Sequence, residues 1–268
     1  MRTRFLLAAG SALLFWGILW ATEKPFREYP GIEYTNFPLP RDWETVHEWT
    51  RARLKYPDVT HGAYGRDVYW TMDYPRSDRH LLEGVRRLTR IDSKSVEQVV
   101  EADGTDDIYN YPMLYAVEVG HWELPQKQAD QLRDFIQRGG FLMTDDYHGF
   151  EEWEIFRESM ERILPDEPIV DIPNRDDIFH TVYDLDDRFQ VPGAQYLETG
   201  LTYEKGETGR IPHWRGIYDE RHRLVAVFCH NMDLGDAWEH SDNPAYPEKW
   251  ASLAYRIGMN YFIYDLTH

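Results

Sequence analysis

The 268-residue chain is short of cysteine and short of positive charge. Its single cysteine, Cys229, excludes an internal disulfide, and no Cys-x-x-Cys or Cys/His pattern has zinc-site spacing. An oxidising compartment is therefore permitted and not demanded. Cys229 sits in an apolar run, which reads as a buried inert thiol before it reads as a nucleophile. Lys and Arg number 29 against 47 Asp and Glu, a net charge of −18. That balance argues against a nucleic-acid partner, because duplex binding replaces phosphate counterions with basic side chains. It also opposes docking on an anionic lipid leaflet. Neither internal repeats nor low-complexity tracts occur. At 42% hydrophobic and 28% charged residues, the chain is neither disordered nor a polytopic membrane protein.

What is present begins with a leader. Met1 to Arg4 is basic, and Phe5 to Ala21 carries no charge, which is the layout of a secretory signal. Cleavage after Ala21 puts Leu19 at −3, an imperfect match to the small-residue rule, so residues 1–21 are either a signal peptide or an N-terminal anchor. The expected location is the periplasm, or the outer face of the inner membrane if the segment is retained. Membrane contact is expected only through that segment. Residues 22–47, with Pro25, Pro30, Pro38 and Pro40, read as a linker, and residues 48–268 as one domain. Ten Trp, 18 Tyr and 12 Phe supply a large core and leave rings for ligand stacking.

Periodicity orders the domain. Trp49 to Tyr56 alternates, with Ala52 and Leu54 on one side and Arg51, Arg53 and Lys55 on the other, as a strand does. Val68 to Met72 reads as a second short strand, followed by a helix through Leu81, Leu82, Val85 and Leu88, with Ser77 or Asp78 as its cap. Met113 to Val119, Phe141 to Thr144 and Leu224 to Cys229 are apolar runs of the kind expected in parallel strands covered on both faces. Helices are expected from Pro125 to Gly139-Gly140, from Glu151 to Leu164 and from about Pro247 to Tyr264. Residues 165–222 are less regular and read as loops or an extra hairpin. Strands alternating with helices imply an α/β fold, doubly wound around a mainly parallel sheet.

Position then singles out polar residues. The apolar runs lead into Asp73-Tyr74, into His121-Trp122, into Asp145-Asp146-Tyr147-His148 and into His230-Asn231-Met232-Asp233. In an open parallel sheet all carboxyl ends share one edge, and ligands bind in the crevice there. Each group also has a structural reading. Asp145 or Asp146 suits a helix cap, His148-Gly149 a turn, Asn231 and Asp233 an Asx turn, and Trp238 with Glu239-His240 an apolar lid with a solvated flank. The coincidence of four such ends favours one common site.

Several strings together resemble a known family. They are Thr71-Met72-Asp73-Tyr74-Pro75-Arg76-Ser77-Asp78 with Leu81-Leu82, Tyr111-Pro112, Leu132-Arg133 leading to Gly139-Gly140 and Asp145-Asp146, and Asn231-x-Asp233-Leu-Gly-Asp236-Ala-Trp238. In that order they are similar to the bacterial domain-of-unknown-function family 4159, over roughly residues 48–266. The resemblance implies a flavodoxin-like, class I glutamine amidotransferase-like fold, and no activity. In true amidotransferases a strand leads into an elbow bearing the catalytic Cys. By order of elements Asp145 or Asp146 stands there, and His230 stands near the activating His. No Gly-x-Cys-x-Gly or Gly-x-Ser-x-Gly string is present, which removes thiolate chemistry at that elbow.

Three functions follow as expectations. The first is an exported binding or assembly module, taking a glycan, a peptide or an envelope protein, with Asp73, Tyr74, His121, Trp122, His148, Asn231, Asp233 and Trp238 as ligand-binding residues and Trp214 beside them. The second is a hydrolase with Asp145, Asp146 and His230 as catalytic residues, working on paired carboxylates or on a divalent metal held by Asp145, Asp146, His148 and Asp233. The third is a purely structural role at the cell envelope.

Overall fold

The computed structural model describes residues 23–58 and 64–268, so the expected leader lies outside the described residues. Among the described residues no helix is long and apolar enough to cross a membrane. Among the described residues seven strands form one sheet in the order β2-β1-β3-β4-β7-β6-β5: β1 Ala52–Lys55, β2 Gln98–Glu101, β3 Met113–Val117, β4 Phe141–Asp145, β5 Val170–Asp171, β6 His213–Tyr218 and β7 Leu224–His230. Strands β2, β1, β3, β4 and β7 pair in parallel, whereas β6 runs antiparallel to both β7 and β5. The fold is therefore α/β with a mostly parallel, mixed sheet.

Alternation along the strands sorts side chains between two covered faces. Met113, Tyr115 and Val117 of β3 pack with Leu81, Leu82, Trp238, Trp250 and Ile257, from α1 Arg76–Leu88, α5 Leu234–Glu239 and α6 Glu248–Thr267. Leu114 and Ala116 face the other way, onto Leu132, Phe135, Phe156 and Met160 of α2 Gln126–Gln137 and α3 Gly149–Ile163. The remaining helix, α4, spans Gln195–Thr199. Gly139, at φ +107, ends α2 in a conformation that side chains resist, and β4 starts two residues later.

Two expectations are corrected. Val68–Met72 is not a strand but a turn with a 3-10 segment at Tyr69–Thr71. Asp58 captures the amides of Val68 and Tyr69 at 2.7 and 3.0 Å, so they are not free for a neighbouring strand. Neither Ser77 nor Asp78 caps α1, which follows Pro75 without a side-chain cap. Asp78 instead turns inward, onto Arg51 at 3.0 Å and Arg53 at 2.8 Å. Strand β2 was not legible, being four residues with only Val99 and Val100 apolar. The irregular stretch 165–222 does supply an extra hairpin, through β6. Residues 23–48 carry no helix or strand, yet they do not hang free. Arg79 donates to the Phe37 and Pro38 carbonyls at 3.0 and 3.1 Å, and Lys24 pairs with Asp103 at 2.6 Å.

Candidate functional site

Three carboxylates meet at the carboxyl edge of the sheet. Asp146 follows β4 with φ 53, Asp73 precedes α1 with φ 59, and Asp233 stands ahead of α5 as its N-cap. A left-handed residue other than glycine is uncommon, and such residues gather where the chain must aim a side chain. Oxygen atoms of Asp73, Asp146 and Asp233 lie within 4.8 Å of one another, and all three residues are buried. Burial pushes each of these carboxyls well above the usual carboxylate range. The neighbouring acids add to it: Glu118 and Asp73 for Asp146, Asp236 and Glu239 for Asp73, and Asp146 and Asp236 for Asp233.

The acids continue outward from Asp73. Glu33, Asp73 and Glu239 form a second group within 4.8 Å, and Asp236, Glu239 and His240 a third. Burial, then Glu239 and Asp236, raises the exposed Glu33 to about 7. Glu239 is 1% exposed; its Oε1 accepts from the Tyr34 hydroxyl and lies 3.7 Å from Arg76. Asp236 accepts from the Ala194 amide, and its own amide donates to Asp233 at 2.7 Å. On the far side of Asp146, His148 Nε2 lies 3.0 Å from Asp146 Oδ1 and 4.0 Å from Glu204.

The structure separates the expected residues into two sets. Asp73, Asp146 and Asp233 converge, with His148 against Asp146. Asp145, one residue before Asp146, faces away from them. Its Oδ2 accepts from the Tyr115 hydroxyl at 3.1 Å and from the Leu234 and Gly235 amides at 2.9 Å each. It holds the start of α5 and does not join the three carboxylates that converge. Burial raises it to about 7.

His230 also stands outside the convergent group. Its Nε2 donates to the Gly149 carbonyl at 3.0 Å, the ring stacks between Tyr147 and His213, and burial pulls it down to about 3. A ring so placed stays neutral, and its buried Nδ1 has no hydrogen-bond partner among the described residues. Asn231 has both ends engaged, accepting from Gly149 N at 2.7 Å and donating to the Thr208 and Ile211 carbonyls. Trp122 and Trp238 are sealed in the core, Trp122 stacked on Phe156, and Tyr74 is fully buried. None of the three presents a face for a sugar. Trp214 is half-buried edge-on against Phe179. His121 stacks on Tyr69 at 4.0 Å and bonds Glu118 at 2.9 Å. Burial pulls the His121 ring down, but the Glu118 bond and nearby acids lift it above its ordinary value.

Sequence reasoning missed Glu33, which sits in the expected linker with no local signal. It also took Glu239 and His240 as a solvated flank, whereas α5 turns Glu239 inward. Two glycines press on the site: a Cβ on Gly193 would stand 2.5 Å from Asp233 Oδ2, and Gly235 is tighter still. A Cβ on Gly235 would stand 2.1 Å from Asp73 Oδ2, so Gly235→Ala must expel that carboxylate. We expect this variant to lose stability by about 1–3 kcal/mol, the range for overpacking, and to lose any cation response; a denaturant melt with and without Mn2+ checks both. A surface cavity of about 970 Å³ lies elsewhere, along Gly139 and Arg223, where Arg223 and Arg138 are engaged by Asp219 and Asp134.

No curated protein matches the chain. A family match covers residues 52–266, from the start of β1 almost to the end of α6, and includes Asp73, Asp146, Asp233, Asp236 and Glu239 while leaving Glu33 outside. The chain belongs to the family described as Domain of unknown function (DUF4159).

Proposed function

We propose that this is an exported domain that binds its ligand through a divalent cation held by Asp73, Asp146 and Asp233. The observation that carries this reading is the approach of three buried carboxylates from three separate segments to within 4.8 Å. Like charges so placed in a poorly hydrated site repel strongly unless they are protonated or a cation sits among them. The donor set is oxygen, which suits Mg, Mn or Ca better than Zn. Such ions take six or more ligands, so three carboxylates leave positions for water and for oxygens of the ligand. With Trp122 and Trp238 buried, ring stacking on a glycan has little support. A carboxylate or a hydroxyl pair, as on a peptide terminus or a sugar, fits the cation itself.

The strand order β2-β1-β3-β4-β7 supports a flavodoxin-like reading of the sheet, and ligands of such folds sit at the carboxyl ends of the strands. On that reading Asp146, left-handed at the turn between β4 and α3, takes the position that the expected amidotransferase-like fold gives to a nucleophile. The single cysteine is far from that role. Cys229 is buried in the core, and burial pushes its thiol well above the ordinary value. A second reading, hydrolysis, draws on His148 at 3.0 Å from Asp146, an imidazole poised beside a cation that would supply an activated water.

The test is thermal unfolding of the full chain after EDTA, then with Ca, Mg, Mn and Zn in turn. A cation at 100 times its Kd adds about 2.7 kcal/mol, which is roughly 5–10 °C for a domain of this size. No shift with any of the four would sink the proposal.

A further inference from the structure

We propose that the site takes a second divalent cation, bridged to the first by Asp73 and closed by Glu33, so that cation binding clamps residues 28–37 onto the domain. The inference rests on the cation reading above and goes beyond it in number of ions, in ligands and in consequence. Asp73 belongs to two groups at once, with Asp146 and Asp233 on one side and with Glu33 and Glu239 on the other. A carboxylate shared in this way is what a pair of ions about 3.5–4 Å apart uses as its bridge.

A second observation, separate from the grouping, points to a missing partner. Among the described residues Asp73 Oδ2 and Glu239 Oε2 are both sealed from solvent without a hydrogen-bond partner, on residues that are each 1% exposed. A buried carboxylate oxygen left without a donor costs more than a neutral polar group does, so these two sites call for a positive charge. The basic groups described nearby leave these two oxygens unbonded, and His240 Nε2 approaches Glu239 only at Oε1, at 3.8 Å. Arg53 is taken up by Asp78, the Trp70 and Met72 carbonyls and Ser77. Arg76 reaches Glu239 only at Oε1, at 3.7 Å, and is bonded to Asp242 at 2.6 Å.

The N-terminal segment is already laid across this side of the site. Glu33 Oε2 accepts from the Asp73 amide at 2.9 Å, the Ile32 amide donates to Thr71 Oγ1 at 3.1 Å, and the Tyr29 amide to the Tyr74 hydroxyl at 3.3 Å. Tyr34 donates to Glu239 and accepts from Arg76 at 3.0 Å. Gly31 lets the chain come this close, since a Cβ there would stand 2.6 Å from the Tyr74 carbonyl. Glu33 is exposed while Asp73 and Glu239 are buried, so the second ion enters from solvent past Glu33. It then ties the segment to the base of α1 and to α5 together. Without it, Glu33, Asp73 and Glu239 face one another within 4.8 Å, with Arg76 and His240 reaching only Glu239 Oε1, at 3.7 and 3.8 Å.

The experiment counts Mn2+ bound to the full chain after EDTA treatment and dialysis, for wild type and Glu33→Gln, alongside trypsin cleavage at Arg27 and Arg41. Glu33→Gln keeps the shape of an exposed side chain, so folding is preserved. We expect two ions per wild-type chain and one per variant chain, with broadening of the six-line Mn2+ resonance in wild type alone. Mn2+ should slow cleavage of the wild-type segment about tenfold, the effect of one added contact of about 1.4 kcal/mol, and leave the variant's rate unchanged. One ion in both proteins, or equal protection of both, overturns the clamp while leaving the single-cation reading standing. No ion in either overturns both.

Discussion

Asp146→Asn is expected to melt above wild type in EDTA at pH 8 and below it once a divalent cation is added. Burial, with Glu118 and Asp73 behind it, holds the Asp146 carboxyl far above its value in an unfolded chain. Between those two values the folded state keeps a proton that the unfolded state has released, so stability falls as pH rises, by about 1.4 kcal/mol per pH unit for one group. Asparagine has no proton to lose and escapes that slope. The advantage of the variant should therefore grow by about 4 kcal/mol between pH 5 and pH 8, which is roughly 8–16 °C for a domain of this size. Asp73, Asp233 and Glu33 carry the same sign of dependence, which remains in the variant in weakened form. His230 works the other way, because the unfolded chain takes up a proton below its ordinary value that the folded chain refuses. It does so equally in both proteins and cancels in the comparison. Differential scanning at pH 5 and pH 8, with EDTA and with Mn2+, reads all four conditions. A variant that melts below wild type in every one would remove the electrostatic account of the site.

A larger loss is expected from Asp78→Ala. Its carboxylate is the shared counter-ion of two buried arginines, at 3.0 Å from Arg51 Nε and 2.8 Å from Arg53. Burial pulls the Arg53 guanidinium down, but Asp78 beside it more than restores the charged form. Arg51 stacks on the Tyr115 ring at 3.7 Å, and Arg53 also holds the Trp70 and Met72 carbonyls that shape the turn before Asp73. Removing the acid strands two charges between β1, β3 and α1. Breaking a buried pair costs about 3–5 kcal/mol, which is about 10 °C in a domain of this size. The loss should also slacken the Asp73 turn and weaken any cation response. Replacing the set together, as Arg51→Met, Arg53→Met and Asp78→Leu, should recover much of the stability, since apolar groups of similar volume often substitute for buried ions. Urea midpoints for the two variants decide the matter, and a loss under about 1 kcal/mol for Asp78→Ala would show that the arginines find other partners.

The buried arginine pair is also where sequence reading fell short. Arg51, Arg53 and Lys55 alternate with Ala52 and Leu54, and alternation identifies the strand without saying what covers its polar side. In β1 that side lies under α1, and a single acid in the first turn of the helix makes burial tolerable. Nothing within β1 announces that pairing, because Asp78 is more than twenty residues away. Similarly, Val68–Met72 has the composition of a strand. Only the approach of Asp58 to its amides converts it into a turn.

By itself the sequence determined the alternation of elements, the covered parallel strands and the edge at which polar residues gather. These depend on local periodicity, on helix stops such as Gly139, and on the rule that parallel strands end on one side. It did not determine which of those polar residues meet. Asp145 and Asp146 are adjacent and chemically identical. The strand continues through Asp145 and turns it onto the amides of α5, whereas φ 53 at Asp146 swings the next carboxylate toward Asp73 and Asp233. Glu33 joins them from forty residues before Asp73, and Glu239 from the inward face of a one-and-a-half-turn helix. Such choices depend on contacts between segments distant in the chain and on single backbone torsions, neither of which leaves a periodic trace. The tertiary structure alone decided that the acids form one continuous group, that Asn231 and His230 bond the Gly149 backbone, and that Trp122 and Trp238 are buried.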